Sequence, residues 1–81
     1  MSIDDRIEEK IEALVAEEHR LQAAGAEGGM DAGQHARTEA IKVELDRLWD
    51  WKRQRQALRA AGRDPDEAHE RSGDVVEHYL Q

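Results

Sequence analysis

The chain has 81 residues, 38% of them charged, with a net charge of −7, no cysteine and no phenylalanine. That length bounds it to one domain at most, and the absence of cysteine excludes disulfides, thiolate metal sites and cysteine nucleophiles. A membrane span is excluded as well, since no apolar run approaches the roughly 18 residues it needs. The start, Met1-Ser-Ile-Asp-Asp-Arg6, lacks the basic and apolar regions of a signal peptide, so a cytoplasmic location is expected. Only about 18 side chains are large and apolar, and a core of that size rarely stabilises a monomer by more than about 3–5 kcal/mol. Charge is laid out in blocks: −6 over residues 1–40, +4 over 41–63 and −5 over 64–81.

The first predicted helix covers residues 3–24. Ser2 is placed to cap it, with Asp5 at N3. Ile3, Ile7, Ile11, Leu14 and Leu21 form one stripe, with Val15 at its edge. Ile7, Leu14 and Leu21 keep heptad spacing, which predicts coiled-coil-like packing. Glu18 falls inside the stripe. It reads as a rim position, and alternatively as a register-fixing partner of Arg37.

Residues 25–31 are predicted as a loop, because Gly25, Gly28 and Gly29 punctuate them. The second helix, 32–61, starts from Asp31 as N-cap and closes at Gly62, the expected left-handed residue. Thr38, Ile41, Leu45 and Leu48 share a face within roughly 80°. Continued toward Gly62, the same face turns basic at Lys52, Arg55 and Arg59. Trp49 and Trp51 flank the stripe on opposite sides, and one thin partner helix cannot cover both. A fold-back near residue 28 sets Ile11 by Leu45, Leu14 by Ile41, and Ile7 by Leu48 and Trp49. The same register lays Asp4, Asp5, Glu8, Glu9 and Glu12 beside Arg47, Lys52, Arg53 and Arg55. Stripes and charge blocks thus agree on an antiparallel hairpin.

Asp64, Pro65 and Glu67 make a helix-start signature for a short helix over 65–71. The closing segment, 74–81, carries Val75, Val76, Tyr79 and Leu80 at helical spacing. It is the obvious cover for Trp51 and Leu58, in cis or in trans. The expected architecture is all-α: a helical hairpin with a short C-terminal helix, associating as a homodimer, most simply a four-helix bundle. Ile7, Ile11, Leu14, Leu21, Ile41, Leu45 and Leu48 are the expected hairpin core. Trp49, Trp51, Leu58, Val75, Val76, Tyr79 and Leu80 are the expected interaction surface.

Catalytic constellations are missing from the sequence. No inward-facing Glu-x-x-His pair occurs, and Asp66 with His69 is the only near match. There is no His-Glu-x-x-His motif, and no glycine-rich phosphate loop of either standard type. With two serines and one threonine, a hydroxyl nucleophile beside an organised base is disfavoured. Neither a metal nor another cofactor is expected, and the chain reads as non-enzymatic. Lys52, Arg55, Arg59 and Arg63 form the one cationic cluster. They suit a small anion such as a nucleotide or phosphometabolite. The plainer reading is that their stems cover apolar surface while their heads meet the acidic block of the first helix. The net charge disfavours nucleic acid. An interaction or regulatory role through helix–helix contacts, with itself or with an unidentified protein partner, is the leading expectation.

Three passages carry a resemblance: Leu14-Val-Ala-Glu-Glu-His-Arg-Leu21; Val43-Glu-Leu-Asp-Arg-Leu-Trp-Asp50 with Arg53-Gln-Arg55; and Arg63-Asp-Pro-Asp-Glu-Ala68 leading to the closing Val75–Gln81. Together they resemble a family of about 80-residue proteins of unknown function from high-GC Gram-positive bacteria. The resemblance spans nearly the whole chain. It implies a small helical protein and brings no activity and no functional residue.

Overall fold

A computed structural model describes residues 2–69 of the chain. They form helix α1 (Ile3–Gly28), helix α2 (Ala32–Ala60) and a single 3-10 turn, η1 (Pro65–Glu67). The segment 74–81, with Val75, Val76, Tyr79 and Leu80, lies outside the described residues.

Both long helices begin with a reciprocal capping box. At α1 the Ser2 hydroxyl accepts from the Asp5 amide while Asp5 accepts from the Ser2 amide. At α2 the Asp31 carboxylate accepts from the Gln34 amide at 2.7 Å, and Gln34 accepts in return at 2.9 Å. Each box satisfies two amides that helix geometry leaves without partners. The end of α2 is a Schellman closure about Gly62 (φ +72°). There the Arg63 amide donates to the Leu58 carbonyl and the Gly62 amide to that of Arg59.

The connection is tighter than its glycines suggest. α1 runs through Gly25 to Gly28, and only Gly29, Met30 and Asp31 remain between the helices. Glycine inside a helix is unfavourable by only about 1 kcal/mol. At Gly25 packing decides, since an added Cβ would stand 2.9 Å from Cγ of Met30. Met30 folds back over that bare backbone and brings its sulfur to 3.7 Å from the Thr38 hydroxyl. Gly25 therefore admits the methionine rather than ending the helix. Gly29 makes the turn instead, at φ +77°.

Across the hairpin, Glu17 meets Arg37, Glu8 meets Lys52 and Asp4 meets Arg55. These pairs step in opposite directions along the two helices, as an antiparallel pair requires. Arg37 takes Glu17, not Glu18, through a two-pronged contact at 2.6 and 2.8 Å. Ile7, Ile11, Ile41, Leu45 and Leu48 are the buried seam, and Ile3, Leu14, Val15, Leu21 and Trp51 lie half-buried against it. Leu14 and Leu21, expected in the core, stand at its edge because two helices cover a seam but leave its flanks open.

After Gly62 the chain turns back along α2. Of the expected 65–71 helix the described residues form one 3-10 turn, and residues 70 and 71 lie outside them. Asp64 caps the turn by accepting from the Asp66 amide, and Ala68, which follows it, is extended. Ala68 is buried. Ile41 is fully buried at the centre of the seam, so Ile41→Ala is expected to destabilise by about 2–5 kcal/mol. Leu14→Ala, at the edge, is expected to cost less. Urea unfolding followed by circular dichroism measures both.

Candidate functional site

The basic half of α2 projects onto the start of α1 and onto the returning segment. Arg55 is its centre. It lies on the core face of α2, 3% exposed, where the apolar stripe would otherwise continue. Its Nε donates to Asp4 Oδ1 at 2.9 Å and Nη2 to Asp4 Oδ2 at 3.4 Å. Nη1 donates to the Pro65 carbonyl at 3.1 Å and to Asp66 Oδ1 at 2.9 Å. A rigid planar fork suits this geometry, and lysine would not. Arg59 shares Asp4. Arg63 pairs with Glu67 at 2.8 Å, one turn on. Lys52 pairs with Glu8 and lies 5.0 Å above the Trp49 ring, a cation–π placement.

The structure thus brings Lys52, Arg55, Arg59 and Arg63 to one end of the hairpin, and each carries a carboxylate partner. Hydrogen bonding from Arg55, helped by Arg59, holds Asp4 below the usual carboxylate range against partial burial, which pushes the other way. Arg37 does the same for Glu17. Arg55 and Arg37 are correspondingly held above the usual arginine range by Asp4 and Glu17. Among the described residues, no three His, Asp or Glu side chains converge as a metal site would require.

Of the expected interaction surface, Trp49 is 40% exposed, the one large apolar side chain so open among the described residues. Trp51 and Leu58 are half-buried, and the Trp51 indole N–H is buried without an acceptor among the described residues. On the flank of the seam opposite Trp49 lies a groove of about 250 Å³ lined by Lys10, Ala13, Leu14, Glu44 and Leu48. The sequence reading did not single out this groove. Its signal was available: Ala13 is a small residue on the outer flank of a stripe, next to the gap between two helices. Asp66 as a ligand of Arg55 was also missed, because it depends on how sharply the chain reverses after Gly62.

Residues 3–81 match the model of a family described as a protein of unknown function, DUF2630. The chain belongs to that family. Uncharacterized proteins of Mycobacterium tuberculosis (Rv0898c) and Mycobacterium bovis (Mb0922c) are each 46% identical over 70 residues, covering 85% of this chain and 80% of the relative. No solved structure matches it. The DUF2630 relatives are mycobacterial and so come from high-GC Gram-positive bacteria, in line with the resemblance read from the sequence. Neither the family nor these relatives carries a residue role to this chain. No helix among the described residues of this DUF2630 chain is long and apolar enough to cross a membrane.

Two outcomes follow for the Arg55 cluster. Arg55→Lys keeps the charge but loses the fork, and should destabilise by about 1.5–3 kcal/mol, the usual worth of hydrogen bonds to charged groups. Asp4 binds its proton less readily in the folded chain than in the unfolded one. Its contribution is therefore complete above the ordinary value of 3.8 and is lost as pH falls through the lower folded value. Urea midpoints measured from pH 6 downward should show this loss, and Asp4→Asn should make the dependence shallower.

Proposed function

We propose that this DUF2630 protein is a non-enzymatic interaction module whose first partner is a second copy of itself. The observation behind this reading is the narrowness of the core. Five large apolar side chains are buried among the described residues, all on one seam between two helices, while Trp49 stands open beside it. A two-helix layer of this kind gains stability by placing a second layer over an open flank. At about 100° per residue, Trp49, Leu45 and Lys52 share one flank of α2, and Val15 and Glu8 share the same flank of the hairpin on α1. That flank has an acid-bearing edge from α1 and a basic edge from α2. A two-fold axis would set each edge against its opposite, as an isologous interface requires. The product is a four-helix bundle with the tryptophans near its centre, and further helical partners would use the same packing rules.

An anionic ligand at Lys52, Arg55, Arg59 and Arg63 is less well supported. It would have to displace Glu8, Asp4, Asp66 and Glu67 from bonds already made. Light scattering across a concentration series is expected to give twice the 9.2 kDa chain mass, with a melting temperature that rises with concentration. Trp49→Ser should lower the mass toward one chain while helicity is retained, because surface substitutions usually change folding stability within about 0.5 kcal/mol. A mass of one chain throughout the micromolar range, with red-shifted tryptophan emission, would count against self-association.

A further inference from the structure

We infer that the groove over Leu14 and Leu48 is the seat of the chain's own C-terminal segment, residues 74–81, packed in cis. The inference concerns the flank opposite Trp49 and stands apart from the proposed dimer. Its first support is the course of the chain. The Gln54 side chain donates to the His69 carbonyl and to the Asp50 carboxylate, each at 2.9 Å. By helical period Trp51, Gln54 and Glu44 lie on one side of the Leu48 line, and Trp49 and Lys52 on the other. So at His69 the chain stands on the groove side of α2. Between Pro65 and His69 it passes from Arg55 to Gln54, whose side-chain amide also holds Asp50, and Asp50 is buried, 6% exposed, although its position on the helix faces away from the seam.

The second support is reach. From Gln54 to Glu44 is about 15 Å along a helix. Residues 70–81 extend about 18 Å if helical and about 40 Å if extended, so the groove is within range in either form. The third is chemistry. The floor is the half-buried Leu14 and the buried Leu48, and Ala13 leaves room for close approach. Val75, Val76, Tyr79 and Leu80 repeat at the spacing of one helical face and supply apolar groups to fill it. Residues 70–81 carry three acids and one base, and Lys10 on the rim offers them a cation.

The choice of cis follows from the tether. A few residues link His69 to the segment, and a short link holds it at an effective concentration of order millimolar. A second chain at micromolar concentration competes poorly with that. The seated segment closes one flank of the hairpin and leaves the Trp49 flank as the free one.

The chain has no cysteine, so a single His78→Cys in the full-length protein accepts a nitroxide label cleanly. His78 is off the Val75–Leu80 apolar face, which the label leaves intact. In the 15N-labelled chain the nitroxide should broaden the amide signals of Lys10, Ala13, Leu14, Glu44 and Leu48, with the effect fading toward the Gly29 turn. In an equimolar mixture of nitroxide-bearing unenriched chain and label-free 15N chain, the broadening should be absent. Adding Ala13→Arg, at an exposed helical position, should abolish it while circular dichroism stays helical. Groove amides left sharp in the first sample would overturn the seat, and would leave the dimer reading untouched. Broadening that persists in the mixed sample would show the segment packing in trans and would overturn the cis assignment.

Discussion

One guanidinium ties the molecule together. Arg55 reaches from α2 to the first turn of α1 through Asp4 and to the returning segment through Asp66 and the Pro65 carbonyl. Burying an arginine is unfavourable unless its donors are met. Here the desolvation falls mostly on Arg55, because Asp66 stays well exposed and Asp4 partly so. The acceptors thus keep some hydration while the fork is filled. The net stabilisation is modest for the burial involved, but the specificity is high. Sliding α1 by one turn, or failing to reverse at Gly62, would leave a buried cation without its acceptors, a larger loss than any single surface ion pair could offset. Apolar side chains at the same position would hold two helices together without deciding where the third segment lies.

Much of this was legible in the sequence. The Ser2 and Asp31 caps, the Gly62 closure, the antiparallel register and the five buried seam residues follow from spacing and from the charge blocks, two independent signals that converge. The misses have physical reasons. Gly25 belongs to a helix because Met30 needs the space above it, a tertiary contact that no local propensity contains. Glu17 displaces Glu18 as the partner of Arg37; neighbouring glutamates differ by 100° around the helix, and a small shift in hairpin register decides between them. The helix expected from Pro65 stops after one turn because Asp66 and the Pro65 carbonyl are held by Arg55 and the His69 carbonyl is held by Gln54. Local start signals specify where a helix can begin, and packing specifies how far it goes.

The basic cluster is defined by its neighbours as much as by its composition. Four cations at one end of a helix suggest a waiting anion. Placed in the fold, Lys52, Arg55 and Arg59 meet acids of the first helix and Arg63 meets Glu67, and Lys52 lies over Trp49 instead of reaching into solvent alone. An acidic chain with one basic block is then no paradox, because the block is matched by carboxylates of the same chain.

The two flanks of the hairpin are unequal for that reason. On one, the chain returns along α2, Ala68 is buried, and the groove over Leu14 and Leu48 lies ahead of His69. On the other, Trp49 is 40% exposed with the Lys52 ammonium over its ring. An exposed tryptophan contributes little to a lone hairpin, because its hydrophobic worth appears only when water is removed from both sides of the ring. Its place at the middle of α2, beside a narrow seam, is what favours the proposed association. The same geometry favours a partner helical enough to run along the hairpin axis. The proposed second copy of this chain would bring such a surface, with its own Trp49 flank facing this one.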